Sequence, residues 1–341
     1  KTLKTPRIIA MEPSYVQYAQ QGVLELIMDE FKRDDILYDL VGFDSQEPNQ
    51  LMAKVGSLYG DLATLDLKEA SDRVSNLLVE RLTWNFPHLN NAIQATRSVR
   101  ANVPGHGIIP LTKFASMGSA LCFPIEAFTF LVVVLMGIQK VLNRPLNRGD
   151  LNKLRGKVRI FGDDIIIPKE YVASVISTLE NFNFRVNASK SFWGENFRES
   201  CGKDFFRGND VTVNYISEDL PTSRKDVAEV LSSASTRNQF YQLGMWSTCQ
   251  WIDTRLVRVL KYYPIVENES SAIGRNSVCF RPGGDTYCSD RHIPLVRGYV
   301  QRSTIPSSTL DGEPALLKFF LKRGSEPSIE GHLERSGRPE A

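Results

Sequence analysis

The chain has 341 residues, enough for roughly two domains at about 150 residues each or one large multi-lobed unit, and it can bury about three quarters of its unfolded surface without disulfides or structural metals. With 42% hydrophobic and 23% charged residues it is not a disordered, collagenous or coiled-coil protein, and 41 Lys and Arg against 39 Asp and Glu, a net charge of +2, exclude a histone-like polycation. Nucleic-acid binding stays open, because the folded position of charge matters more than its sum.

Residues 1–13 (KTLKTPRIIAMEP) are basic and then strand-like, closing at Pro13. Ser14 is placed to cap a helix to about Phe31, and 33–60 reads as polar loop with short helix. Asp61 to Leu67 is a short apolar strand with Asp66 near its exit, residues 70–84 resume helical spacing, and the Gly and Pro signals of 101–112 predict a hairpin or exposed loop. Ser116-Met-Gly118-Ser119 opens a long apolar helix to Gln139 that should be central to the core. Its most apolar stretch, Ala127 to Ile138, is twelve residues against the roughly 20 that span a bilayer, so no membrane partner is expected. β-Branched runs at 157–161 and 165–168 flank Gly162-Asp163-Asp164, a strong hairpin signal, and a helix follows over 169–181. Strands are predicted at 184–186 and 191–193, a hairpin over 203–215 turning at Gly208-Asn209, helices from 217 to about 263, and a last helix at 314–321. The final residues, 324–341, read as a disordered tail. Five cysteines without a CxxC pair and four scattered histidines argue against zinc or a disulfide framework, and fit a reducing cytosol.

Chemistry concentrates at a few places. Two adjacent carboxylates, Asp163 and Asp164, sit at the tip of a greasy hairpin; a solvated type I′ turn explains them about as well as a divalent cation does. Asp66 alone could be a helix cap, but a strand-end Asp plus a hairpin Asp pair can bracket two metals about 3.5–4 Å apart, as in polymerases and nucleases. Ser116, Gly118 and Ser119 permit close backbone approach at a helix head, where phosphates bind, although simple capping is the plainer reading. Lys1, Lys4 and Arg7 could clamp a triphosphate or belong to a solvated terminus; Arg97 and Arg100 add local basic surface. Lys190, taken alone, reads as a solvated lysine.

The order of these features follows the motifs of viral RNA-dependent RNA polymerases. More specifically, Lys4-Thr-Pro-Arg7-Ile-Ile-Ala-Met-Glu-Pro13, Leu65-Asp-Leu-Lys-Glu-Ala-Ser-Asp72, Ser116-Met-Gly118 and Phe161-Gly-Asp-Asp-Ile-Ile-Ile-Pro168 resemble the replicase catalytic subunit of single-stranded RNA bacteriophages. Phe197-Arg-Glu-Ser-Cys-Gly-Lys203 and Gly208-Asn-Asp-Val-Thr212 resemble it too, though they have no generic polymerase meaning. The likeness covers about residues 1–217 and departs at Phe161 (usually Tyr), Ser119 (usually Asn) and Lys68-Glu69 (often Ser-Ala).

The resemblance implies an α+β right-hand polymerase fold of fingers, palm and thumb, with an antiparallel palm sheet flanked by helices. It assigns 1–60 to partial fingers, 61–216 to a palm with an inserted fingers element at about 90–112, and 217–323 to the thumb and C-terminal region. It implies that the chain starts inside the basic fingers segment, with the family's N-terminal region missing. Asp66, Asp163 and Asp164 would bind two Mg²⁺ ions, for which Mn²⁺ can substitute. Lys4, Arg7, Ser116 and Gly118 would serve the nucleotide, Asp72 and Ser119 the ribose, and Lys190 would be the proton donor to pyrophosphate. RNA template, nascent RNA and ribonucleoside triphosphates are the implied ligands. Host elongation factors Tu and Ts and a small-subunit ribosomal protein are the implied partners, in a bacterial cytoplasm. A reverse transcriptase is the nearest rival, and a catalytically silent RNA-binding palm protein is another; Asp72 and the 198–203 stretch speak against the first, the three aspartates against the second.

Overall fold

The computed structural model describes residues 9–103, 105–267, 270–279, 286–303, 310, 312–324 and 339–340. It is α+β and divides into two compact units, Lys1–Thr212 and Val213–Ala341.

The first unit opens with α1 (Ser14–Arg33), entered from Pro13 without a side-chain cap, so Ser14 is the first helical residue rather than the cap. Asp34 caps α2 (Asp35–Leu40) by accepting from the amides of Ile36 and Leu37. The segment read as loop holds a thirteen-residue helix, α3 (Glu47–Tyr59), stopped by Gly60. Its buried positions are Asn49, Ala53, Gly56 and Ser57, an i, i+4, i+7, i+8 stripe of small and polar residues that hydrophobic periodicity cannot reveal. Next come β1 (Leu62–Leu65) and β2 (Leu67–Lys68). The helix expected over 70–84 breaks into α4 (Ala70–Arg73) and α5 (Asn76–Leu82), because Ser75 leaves helical geometry to cap the second piece through Leu78 N–H. After α6 (Pro87–Ala95), β3 (Arg100–Val103) and β4 (Gly107–Pro110) form the hairpin foreseen there.

The apolar helix α7 runs Cys122–Leu142, later than expected at both ends. At 21 residues it is long and apolar enough to cross a membrane by length and composition, but over half of its apolar stretch is buried inside the protein. Phe130 meets Phe184 edge to face at 4.9 Å, and such fully buried side chains stabilise by about 1.5–3 kcal/mol each. Then follow α8 (Arg148–Leu154), β5 (Arg159–Phe161), β6 (Asp164–Pro168), α9 (Val172–Asn181) and β7 (Arg185–Val186). Residues 191–193 contribute only a bridge from Phe192 to Thr64. Strand β8 (Phe197–Ser200), not foreseen, pairs with β9 (Lys203–Phe206), which also pairs with β10 (Asn209–Asp210).

The sheet that matters for function is antiparallel, in the order β1-β6-β5. Ala63, Leu65, Ile165, Ile167 and Ile160 join the main core with α7 and α9. Leu62 and Ile166 belong to a second cluster with Ala53 of α3 and Phe205 of β9. Covering on both faces explains why Ile165-Ile166-Ile167 is an unbroken apolar run.

The second unit contains α10 (Val227–Gln242) and α11 (Trp246–Val259), packed through Val230, Phe240, Ile252 and Leu256. Short ladders follow: β11 (Ala272–Ile273), β12 (Thr286–Tyr287), β13 (Pro294–Leu295), β14 (Tyr299–Val300) and β15 (Arg302–Ser303). Helix α12 (Gly312–Gly324) and β16 (Pro339–Glu340) complete it. Of the tail expected to be disordered, Gly324 ends α12 and Pro339–Glu340 pair with Arg302–Ser303; the remainder lies outside the described residues.

Candidate active site

Register brings the acids together. β1 pairs with β6 from Leu62↔Pro168 to Leu65↔Ile165, so the next position sets Asp66 across from Asp164. β5 pairs with β6 through Phe161↔Asp164, leaving Gly162 and Asp163 as the two-residue turn. Only Gly162 has positive φ (+60°), so the turn follows the type II′ pattern rather than I′. A Cβ at Gly162 would stand 2.5 Å from the Phe123 ring, which itself packs edge-on to Phe161 at 5.1 Å. Glycine is therefore required twice over, and Phe161 serves as the aromatic wall of the turn.

Asp66 and Asp164 are held by partners that the sequence reading missed. Asp66 accepts from Asn187 Nδ2 at 2.7 Å, while its amide donates to Ser191 Oγ at 3.0 Å. Burial raises its pKa, the Asn187 hydrogen bond opposes that rise, and repulsion from Asp163 adds to it. Burial pushes Asp164 up to about 6, against stabilisation from the Cys201 amide; the charges of Asp163 and Asp66 push further. Ser200 Oγ donates to Asp164 at 3.3 Å. The Cys201 thiol is itself pushed up to about 12 by burial and by Asp164, so it stays protonated and able to donate. These groups come from the β8–β9 hairpin, whose turn residues Cys201 and Gly202 both have positive φ. That hairpin is anchored by Arg198, fully buried, with Nε on the Leu62 carbonyl and Nη1 on those of Glu195 and Phe197. The Phe197–Lys203 stretch thus has a physical task beside Asp164.

Lys190 lies in the same neighbourhood. Its Nζ is 3.2 Å from Glu199, which raises its pKa, and it attracts the charges of Asp66 and Asp164. Burial and the Glu199 charge raise nearby Asp204 as well.

The other expected site residues are arranged differently. Asp72 pairs with Lys113 at 2.5 Å, and both act on Cys122 at the start of α7. Ser116-Met-Gly118-Ser119 is a turn ahead of α7, not its first turn. Ser116 is buried; Ser119 Oγ donates to Gln20 of α1 at 3.2 Å and accepts from the Leu121 amide. Gly118 has φ +114°, and a Cβ there would reach 2.1 Å from the Ala10 carbonyl, so close backbone approach is its reason, as expected, but toward the chain itself. The Ala10 amide in turn donates to Met117 at 2.8 Å. Arg97, expected to add local basic surface, spends its guanidinium on the carbonyls of Leu111, Lys113 and Phe114; Arg100 remains exposed. Lys1, Lys4 and Arg7 lie outside the described residues.

Among the described residues no three His, Cys, Asp or Glu side chains form a ready cation cage. Mg²⁺ does not require one, since it keeps waters and adds substrate phosphates to one or two carboxylates. Asp66, Asp163 and Asp164 fit such an ion: they are hard oxygen donors whose mutual repulsion and burial a cation would relieve.

The chain is 34% identical over 264 residues to the RNA-directed RNA polymerase subunit beta of Qbeta virus (strain MX1), covering 77% of this chain and 40% of that protein. It is 35% identical over 222 residues to the RNA-directed RNA polymerase beta chain of Escherichia phage MS2, covering 64% and 36%. Against the Escherichia virus Qbeta subunit it is 31% identical over 280 residues, covering 82% and 42%. The chain therefore spans about two fifths of the length of these relatives. The family model described as RNA replicase, beta-chain, matches residues 1–271, and the chain belongs to that family.

Proposed function

We propose that this chain carries the catalytic centre of an RNA-templated RNA polymerase that copies a phage RNA genome. The observation that carries the reading is the convergence of Asp66, Asp163 and Asp164 at one end of the β1-β6-β5 sheet, close enough for each charge to act on another. In this reading the sheet is the palm of a right-hand fold, with fingers in 1–60 and about 90–112 and the thumb in 217–323.

Asp66, Asp163 and Asp164 would hold two Mg²⁺ ions, with Mn²⁺ able to replace them. Bound there, such ions supply Lewis acidity to the attacking 3′-hydroxyl and neutralise triphosphate charge. Asn187 and the Ser200–Cys201 corner orient the carboxylates beforehand, so little reorganisation remains when substrate arrives. Lys190, kept protonated beside Glu199, gives a proton to the departing pyrophosphate. Asp72 and Ser119, flanking the entry to α7, read the ribose 2′-hydroxyl, and Ser116, Gly118, Lys4 and Arg7 serve the nucleotide. The relatives are named as subunits. By that family reading the partners include elongation factors Tu and Ts and a small-subunit ribosomal protein, in the host cytoplasm.

The test pairs binding with catalysis. Mn²⁺ binding followed by electron paramagnetic resonance, and primer extension on an RNA template, are measured for the parent chain, Asp66→Asn and Asp163→Asn. Loss of a charged ligand removes several kcal/mol of transition-state stabilisation, and each 1.36 kcal/mol is about tenfold in rate. Both variants should lose Mn²⁺ affinity and extension while keeping RNA affinity. Parent-like Mn²⁺ binding in either variant would overturn the assignment.

A further inference from the structure

Gln20 is a polar side chain in an unusual place: it lies on α1 and is only 1% exposed. Its amide is tied at both ends. Nε2 donates to the Thr96 carbonyl, just past α6, at 2.8 Å. Oε1 accepts from the Ala120 amide at 3.0 Å and from Ser119 Oγ at 3.2 Å. The two backbone partners fix which way round the amide sits, because a flipped side chain would face N–H with N–H at Ala120 and oxygen with oxygen at Thr96.

That orientation decides where the Ser119 proton goes. A serine hydroxyl has one hydrogen to give and two lone pairs to offer. The hydrogen goes to Gln20, since two oxygens at 3.2 Å repel without one between them, and one lone pair takes the Leu121 amide at 3.3 Å. The backbone is equally committed: the Ser119 amide donates to the Ser116 carbonyl at 3.1 Å, and the Cys122 amide donates to the Ser119 carbonyl at 3.2 Å. One lone pair of Oγ remains, on a residue that is half-buried rather than sealed. Ser119 therefore meets a ligand as an acceptor and not as a donor.

We propose that Gln20 is a specificity-determining positioning residue, holding Ser119 as a hydrogen-bond acceptor so that the site takes nucleotides with a donor at the 2′ position. The inference deepens the polymerase reading and rests on it for placing Ser119 at the ribose. What it adds is a direction: a 2′-hydroxyl or 2′-amine has a hydrogen to give, and a 2′-fluorine has none. The Asn usual at this position carries N–H donors of its own, so the restriction comes from Ser119 with Gln20. A plain staple between α1 and the entry to α7 would change stability but not the preference among 2′ groups.

The experiment uses the full chain with an RNA template and a primer lacking its 3′-hydroxyl, in Mn²⁺, so that binding is read without extension. ATP labelled with a fluorophore on the γ-phosphate is displaced by ATP, 2′-amino-2′-deoxy-ATP or 2′-fluoro-2′-deoxy-ATP, in mildly alkaline buffer where the amine is neutral. The parent should bind the amino analogue like ATP and the fluoro analogue about fivefold more weakly, the worth of one ordinary hydrogen bond. Gln20→Met frees the Ser119 proton to turn toward the ligand, which should lower the discrimination against fluorine about threefold. Ser119→Ala should lower it similarly, while Ser119→Thr, which keeps the hydroxyl, should hold the parent's ratio. Equal binding of ATP and the fluoro analogue by the parent overturns the proposal. So does a parent-like ratio in Ser119→Ala, or in a Gln20→Met protein that melts with the parent. Should Gln20→Met melt lower, the Ser119 pair decides, and a Thr variant that loses discrimination together with the Ala variant overturns the proposal. A parent that binds ATP without sorting the 2′ groups sinks this inference alone, whereas a parent that binds no ATP sinks the polymerase reading itself.

Discussion

At the scale of single residues, the candidate site is electrostatically unfavourable without a cation. Asp164 titrates near 6 rather than 3.8 because burial and its two acidic neighbours penalise the charged form. A carboxyl whose folded pKa lies above its unfolded value stabilises fully below the unfolded value, and the contribution is lost as pH rises through the folded one. Metal-free protein should therefore lose stability between about pH 4 and pH 6, by roughly 2–3 kcal/mol at 1.36 kcal/mol per unit. Asp164→Asn keeps the shape and removes the charge, so it should be more stable than the parent at pH 7 and should flatten that part of the profile. Urea midpoints at pH 5 and pH 7, with and without Mg²⁺, check this. Mg²⁺ should stabilise the parent more at pH 7, where the carboxylates are ionised, and an Asp164→Asn variant less stable than the parent at pH 7 would contradict the account.

At the scale of elements, the β8–β9 hairpin is the part of the site that sequence reasoning left without a role. Gly162-Asp163-Asp164 announces itself because turn chemistry and apolar flanks are local signals, and Asp66 because it ends an apolar strand. The partners of these acids come from 121 to 125 residues away for Asp66 and 36 for Asp164, and no local periodicity encodes such distances. Arg198 shows the difficulty: an arginine in a polar run reads as surface, yet it is fully buried, with Nε and Nη1 donating to three backbone carbonyls while Nη2 has no hydrogen-bond partner among the described residues. Arg198→Leu would remove the donor from the Leu62 carbonyl, whose bond is buried, and from the part-buried carbonyls of Glu195 and Phe197, so the loss should be about 1–3 kcal/mol, the cost of one buried unsatisfied group. Lys203→Leu, which breaks a half-exposed pair with Asp210 on the next strand, should cost under about 1 kcal/mol. Chemical denaturation of the two variants compares them directly, and equal midpoints would show that Arg198 does not pin the hairpin.

At the scale of the whole molecule, the legible and illegible parts divide along the same physical line. Helices α1, α7 and α9 and the β5–β6 hairpin were foreseen because their burial is apolar and periodic; α3 was not, since its buried face is Asn49, Ala53, Gly56 and Ser57. The boundary between the two compact units falls after Thr212, close to the change of pattern seen near residue 217. Each unit has its own buried cluster, one built on α7 and α9 and the other on α10 and α11. Residues 211–226 between β10 and α10 contain no helix or strand, and Val213, Tyr215 and Ile216 are exposed at 68%, 72% and 50%. Exposed backbone outside regular structure is where proteases act first, and a separate core lets a fragment keep its fold after the cut. Brief chymotrypsin treatment should therefore cleave at Tyr215 before the buried aromatic sites such as Phe130 and Phe184. The larger fragment should retain helical circular dichroism and Mn²⁺ binding, because Asp66, Asp163, Asp164 and all their hydrogen-bonding partners precede the cut. First cleavage inside α7, or loss of Mn²⁺ binding on cutting at Tyr215, would mean that the unit carrying the three aspartates depends on the second unit for its fold.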